Sequence, residues 1–167
     1  MVARSLLVAI SAQRAAAAAL LGAAPSWPPA AVLPVDAAAV ALEPTRQATY
    51  AVQVAAARTP ASGRAPYLDL LGTLQRREAA LASAAGTSAG EAPVGYRLPF
   101  PVTTPDEARR LTRSVLDALV NRGLDPLALL PVGSEAVTEV VRLQAEAAVL
   151  RVPWGAVLTP FPGLVDG

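Results

Sequence analysis

The sequence predicts an all-α fold in which helices pack into a bundle, preceded by an extra N-terminal helix. Apolar residues recur at helical spacing along most of the chain, and no strand-length run of alternating β-branched residues interrupts them. Alanine, the strongest helix former, supplies much of the 53% hydrophobic content, and only 4% of the residues are aromatic. We divide the 167 residues into an N-terminal helix with a Pro-rich turn, residues 1–34, and one helical domain with an apolar C-terminal tail, residues 35–167.

Prolines set the predicted bounds of the first three helices. The first helix is predicted from Ala3 to about Ala24, where the Pro-rich stretch 25–29 stops it. The second covers residues 36–58 and contains Pro44. Either the helix kinks at this proline or it truly begins there, with Pro44 in its first turn. The third helix covers residues 64–85.

A long connection, Gly86–Thr103, leads to the last two helices, and its apolar composition predicts that it packs across the bundle. The sequence Thr104-Pro105-Asp106-Glu107 predicts a helix start, with an N-cap, a proline in the first turn and a capping-box acid. This fourth helix is predicted to end near Gly123, and the fifth to run from Ser134 to just before Pro153. The side chains expected to face inward from the fourth helix are Leu111, Val115, Ala118 and Leu119.

Composition and charge exclude several classes of function. The chain contains no histidine and no cysteine, which excludes histidine-based triads, thiolate sites and conventional histidine-containing metal sites. A net charge of +1 argues against nucleic-acid binding. The arginine clusters Arg76–Arg77 and Arg109–Arg113 have acids nearby, so we interpret them as solvated helix faces. A solvated ladder of charges is likewise expected in the fifth helix from Glu135, Glu139, Arg142 and Glu146.

Two glutamates at helical spacing among apolar residues are the candidate site. Glu78 falls on a stripe of the third helix with Tyr67, Leu71, Leu74 and Leu81, and Glu43 falls on a stripe of the second with Val40, Gln47, Tyr50 and Val54. Together, Glu43 and Glu78 could bind a divalent metal through oxygen ligands alone, with Tyr50 adjacent. The alternative that we favour is that each carboxylate pairs with a side chain inside the protein, and the candidate partners are Arg46, Gln47, Tyr50 and Tyr67.

Several segments together resemble a ferritin-like domain family of unknown function found in actinobacteria. They are Glu43 with Tyr50, the run Gln75–Glu78, the string Tyr96–Val102, then Trp154 and the closing Thr159–Leu164. The resemblance covers about residues 35–164 and implies a four-helix bundle whose long crossover is Gly86–Thr103. Where the family has histidines this chain has Pro44 and Thr73, and where the family has a further carboxylate it has Leu116. The resemblance therefore implies a bundle that keeps the two glutamates without the other ligands of a two-metal site.

From these observations we expect a non-catalytic structural or protein-interaction module, without a cofactor, that forms a homodimer or binds a protein partner. The alternative is a degenerate carboxylate metal-binding, oxidoreductase or metal-storage protein that uses Glu43 and Glu78. We expect Trp154 to be part of the core and the tail around Phe161–Leu164 to cover one end of the bundle. The first helix is expected to be retained in a cytoplasmic protein; the alternative is export or membrane association through residues 1–24.

Overall fold

The computed structural model describes residues 2–23, 25–28 and 31–164 of the chain. Within this part the chain is all-helical and contains no β-strand, which confirms the predicted all-α class. Short 3₁₀ turns and irregular connections join the α-helices. In chain order the helices are α1 (Val2–Leu20), α2 (Val35–Arg58), α3 (Ala65–Ala85), α4 (Pro105–Asn121) and α5 (Ala136–Arg151). None of these helices combines the length and the apolar character needed to cross a membrane.

The helix ends follow the sequence signals closely, except at the end of α1. α1 ends at Leu20 because Gly22 adopts a left-handed backbone with φ of 83°, which breaks the helix before the Pro-rich stretch; the predicted end, Ala24, lies outside the described residues. α2 begins at Val35, so the helix runs through Pro44 and does not start there. The capping box of α4 is confirmed, since the Glu107 amide donates to Thr104 Oγ1 at 3.2 Å and the Glu107 carboxylate accepts from the Thr104 amide at 3.0 Å.

α2 lies at the centre of the helix arrangement. It packs against both α3 and α4, while α4 also packs against α5. The main core between them contains large apolar side chains, among them Leu74, Leu111, Leu116, Leu119 and Trp154. Each fully buried leucine contributes about 2 kcal/mol through removal of its apolar surface from water. Trp154 stacks on Tyr67 with ring centroids 4.7 Å apart, which confirms its predicted place in the core.

α1 packs against α5 largely through small side chains. Ala12 and Ala16 of α1 meet Ala145 and Ala148 of α5, and Trp27 covers part of this contact. Alanine permits close approach of two helix backbones but removes little apolar surface from water per residue. Arg4 adds a polar attachment at the start of α1, where its guanidinium donates to the carbonyls of Leu130 at 2.7 Å and Pro131 at 2.9 Å.

The buried face of α3 keeps part of the predicted stripe, but Leu70 and Arg77 are buried in place of their neighbours Leu71 and Glu78. The buried residues are Tyr67, Leu70, Leu74, Arg77, Leu81 and Ala85. Glu78 was expected in the middle of an apolar stripe, but it lies at the edge of this face with 27% of its side chain exposed. Arg77 was expected on a solvated face, and that prediction was wrong because α3 turns this position toward α5. The Arg77 guanidinium donates to the Leu143 carbonyl at 3.0 Å.

Two further expectations about helix faces need correction. On α4, Leu111 and Leu119 are buried as predicted, but Val115 is only half-buried and Ala118 is exposed. α4 packs against two neighbours, so its buried face is wider than one stripe and also takes in Thr112 and Leu116. The charged row of α5 is not a fully solvated ladder. Its Glu139 side chain is only 12% exposed and pairs with Arg142 at 2.6 Å, beside the buried Arg77.

Candidate functional site

The candidate glutamates belong to a half-buried group of polar side chains, which we call the α2 cluster. Its members are Glu43, Arg46, Gln47 and Tyr50 of α2, Glu78 of α3 and Tyr96 of the connection between α3 and α4. The predicted stripe of α2 that carries Glu43 and Tyr50 is half-buried along its length, whereas the adjacent face, with Thr45, Ala48 and Val52, is fully buried. The cluster therefore lies at the boundary of the core, where the connection covers α2.

Glu43 is held by two neutral donors. Its Oε1 accepts a hydrogen bond from Gln47 Nε2 at 2.9 Å, one helical turn along α2, and its Oε2 accepts from the Tyr96 hydroxyl at 3.3 Å. The first contact is the pairing that helical spacing favours at positions i and i+4. The second ties the connection to α2 across a large separation in the sequence. Gln47 was correctly predicted as a partner, while Tyr96 was not.

Glu78 faces a guanidinium group. Arg46 Nε lies 3.9 Å from Glu78 Oε1, and only 11% of the Arg46 side chain is exposed. The same guanidinium donates to the backbone carbonyls of Ala89 at 2.6 Å and Gly90 at 3.4 Å. Arg46 therefore links α2 with α3 and with the start of the connection. The prediction that an internal arginine partners a candidate carboxylate is confirmed for Glu78.

Two tyrosines close the cluster on the side of the connection. The rings of Tyr50 and Tyr96 lie 5.8 Å apart at an angle of 57°. Gly95 permits this contact, because a Cβ at this position would come within 3.1 Å of the Tyr50 hydroxyl. Burial raises the pKa of the Tyr96 phenol, and the neighbouring negative charge of Glu43 raises it further, while Arg46 partly offsets both effects. Tyr96 is therefore a neutral hydrogen-bond donor at neutral pH.

This arrangement favours internal pairing of the two candidate ligands. Within the described residues, no three side chains of the His, Cys, Asp or Glu types come together in a way that could hold a metal ion. The guanidinium of Arg46 already supplies positive charge beside Glu78, where a cation would otherwise be drawn. Of the other two predicted partners, Tyr50 packs against Tyr96 and Tyr67 packs against Trp154. Binding of a metal by Glu43 and Glu78 remains a prediction.

Tyr96, Arg77 and Gln144 were not identified from the sequence, although each makes a hydrogen bond to a distant part of the chain. Tyr96 comes from a connection without periodicity, so no pattern could assign it to α2. Arg77 and Gln144 lie at helical spacing with apolar residues of their own helices, and that spacing was the available signal for burial. Burial lowers the pKa of the Arg77 guanidinium to about 10, although nearby Glu146 and Glu139 oppose the effect.

Comparisons with protein-family models, with curated proteins and with solved structures found no match to this chain. The interpretation of the α2 cluster therefore depends on its own geometry.

Proposed function

We propose that this chain is a ferritin-like four-helix bundle, formed by α2 to α5, that acts as a non-catalytic structural or protein-interaction module. The packing of α2 on α3 and α4, and of α4 on α5, supports this arrangement. The long connection from α3 to α4 corresponds to the single crossover of such a bundle. In this proposal α1 is an additional helix that packs against α5.

The position of Arg46 is the observation that carries the non-catalytic part of the proposal. A guanidinium group stays charged at any physiological pH, so it repels a metal ion that approaches the same carboxylate. Its hydrogen bonds to Ala89 and Gly90 hold the guanidinium in place beside Glu78. The α2 cluster then fastens the crossover to the bundle, which is a structural role that requires no cofactor.

One feature favours the alternative of a carboxylate metal site. The two hydrogen bonds to Glu43 both come from neutral groups, so within the described part of the chain its negative charge has no hydrogen-bonded cation. A hard divalent cation prefers carboxylate and other oxygen ligands, and the Gln47 amide and the Tyr96 phenol lie next to this group. This alternative requires Arg46 to leave Glu78 so that both carboxylates can reach one ion.

Elemental analysis distinguishes the two proposals. The protein is measured as purified and after anaerobic loading with Fe(II) or Mn(II), beside a Glu43→Ala, Glu78→Ala double variant. A second double variant, Glu91→Ala with Glu135→Ala, removes two exposed acids and controls for lost surface charge. We expect no stoichiometric metal in any of the three proteins. Metal that is lost from the first variant and retained in the second would overturn the non-catalytic proposal.

The proposed protein-interaction role is tested by measuring the molecular mass of the protein in solution. Sedimentation analysis over a wide range of concentration should show self-association of the chain, because a net charge of +1 gives little electrostatic repulsion between copies. A chain that stays monomeric throughout would leave this part of the proposal without support.

A further inference from the structure

The C-terminal tail lies in a groove between α4, α5 and the 3₁₀ turn Asp125–Leu129, which we call the tail groove. Gly163 lies against Gln144 and Leu124. Its backbone is left-handed with φ of 86°, and a Cβ here would lie 2.5 Å from Gln144 Nε2 and 2.9 Å from Leu124 Cγ. The preceding Pro162 is buried. The groove therefore fits a glycine on two counts, the backbone conformation and the absence of a side chain.

The floor of the tail groove is the amide of Gln144, which is completely buried. Its Nε2 donates to the Val120 carbonyl at 3.0 Å, and its Oε1 has no hydrogen-bond partner within the part of the chain that the structure describes. On the other side of this amide lies Gly123, where any Cβ would overlap with Gln144 Oε1. α4 ends just before Gly123, as predicted, but the backbone of Gly123 is not left-handed, and its lack of a side chain is what accommodates Gln144.

The two ends of the segment Phe161–Leu164 are only lightly packed. Phe161 is 44% exposed and Leu164 is 36% exposed, whereas Ala156 and Leu158, nearer to α5, pack against the rest of the protein. A cavity of about 460 Å³ borders Gly163 and Leu164 and is lined on its other side by Arg4 and Leu127. The contact around Gly163 is therefore specific in shape, yet few apolar contacts hold the rest of the segment.

We propose that the tail groove is a recognition site for the segment Phe161–Leu164, which fills it from the same chain and which the tail of a second copy can replace. We expect the partner to be a second copy of the chain because its tail carries the same proline and left-handed glycine, Pro162 and Gly163, that fit this groove. Mutual exchange of tails gives a closed two-fold dimer. The inference rests on the proposed function, since it names the partner of the proposed interaction module.

The groove's own tail competes with any incoming one. A segment tethered to its site acts at an effective concentration of about 1 mM, so a free peptide binds weakly while the tail is seated. Alanine at position 163 conflicts with both the backbone conformation and the Gln144 amide, so this substitution unseats the tail while the residues of the groove itself stay unchanged. The exchange of one tail for another can then be measured on the full chain.

The probe is a fluorescent peptide with the sequence of residues 155–164, titrated into the full-length protein and followed by anisotropy. We expect the Gly163→Ala chain to bind this peptide about tenfold more tightly than the wild-type chain. A peptide that itself carries Gly163→Ala should bind neither protein. The matched control is a Gly133→Ala chain, because Gly133 is also left-handed, with φ of 82°, but has open space around it; this chain should bind like the wild type.

Equal binding of the peptide by the Gly163→Ala, Gly133→Ala and wild-type chains would overturn the inference, and so would equal binding of the two peptides. Circular dichroism of each variant shows that the helices remain formed. If the inference is correct, excess peptide should also convert self-associated wild-type protein to monomer.

Metal content does not depend on the tail. Stoichiometric metal in a chain that binds the peptide would therefore refute the non-catalytic proposal alone, whereas failed peptide binding without metal would refute the tail groove alone.

Discussion

Replacing the buried Arg77 by methionine should make the protein more stable. The guanidinium lies between α3 and α5, where it has one hydrogen bond, to the Leu143 carbonyl, and a buried Nε without a partner among the described residues. Methionine has a similar unbranched shape and can fill the same space without carrying a charge into it. The substitution therefore separates the packing of this side chain from its electrostatic cost.

The magnitude follows from the lowered pKa. A value of about 10 lies about 2.5 pKa units below the ordinary arginine value, which corresponds to about 3 kcal/mol against the charged form in the folded state. Loss of the hydrogen bond to the Leu143 carbonyl lowers stability by about 1 kcal/mol, so the net increase in the free energy of unfolding on substitution is about 2 kcal/mol. Arginine is charged in both folded and unfolded chains below pH 10. The gain should therefore be constant around neutral pH and shrink as the pH rises above about 10, where the folded state releases the proton.

The assay is urea unfolding followed by the helical circular dichroism signal, with two companion variants. Arg77→Ala also removes the charge but leaves a cavity, so its stability should fall well below that of Arg77→Met. Arg76→Met changes the exposed neighbouring arginine and should alter stability by less than about 0.5 kcal/mol. A loss of more than about 1 kcal/mol in Arg77→Met would refute the reasoning. It would mean that attraction to Glu146 and Glu139 outweighs the burial of the charge.

Three further predictions concern the capping box, Gly123 and the α2 cluster. Hydrogen bonds from Thr103 and Thr104 lower the pKa of Glu107 to about 2, so the stability that the Glu107 carboxylate provides should be complete above about pH 4.5 and disappear as the pH falls toward 2. Denaturant unfolding measured against pH should show this loss of stability for the wild type and not for Glu107→Gln. Gly123→Ala should lower the free energy of unfolding by about 1–3 kcal/mol, because the added Cβ overlaps with Gln144. The control, Gly72→Ala, adds a Cβ that meets only Arg76 at 3.6 Å, so it should raise the free energy of unfolding by about 0.5–1 kcal/mol in the same thermal or urea experiment. The phenolate absorbance of Tyr96, identified by its loss in a Tyr96→Phe chain, should appear at higher pH than that of an unperturbed tyrosine, and Glu43→Gln should move it to lower pH. A titration that Glu43→Gln leaves unchanged would refute the contact between Tyr96 and Glu43.

Local signals in the sequence were sufficient for the helices. The capping box at Thr104, the prolines that bound the segments and the helical spacing of apolar residues act within a few positions of each other, so the fold class and most helix bounds could be predicted. The same is true of the contact between Glu43 and Gln47, which are one turn apart on α2. The ferritin-like arrangement of these helices stays a proposal.

What the sequence could not determine is which side of each helix meets which neighbour. Glu78 and Arg77 are adjacent, so a small rotation of α3 about its axis exchanges the partly exposed acid for the buried base, while Leu74 stays buried. That rotation depends on the shapes of α2 and α5 together, as does the wider buried face of α4. No periodicity within one helix contains this information.

By itself the sequence determined where the chain is helical, which chemical groups it lacks, and that two glutamates lie near apolar faces. Only the tertiary structure decided their partners, because Tyr96 reaches Glu43 from a connection far along the chain and Arg46 joins three segments at once. It alone also showed why Gly123 and Gly163 are glycines, since both contact the Gln144 amide from positions distant in the sequence. Close packing is a property of surfaces that meet only after folding, and a local pattern does not encode it.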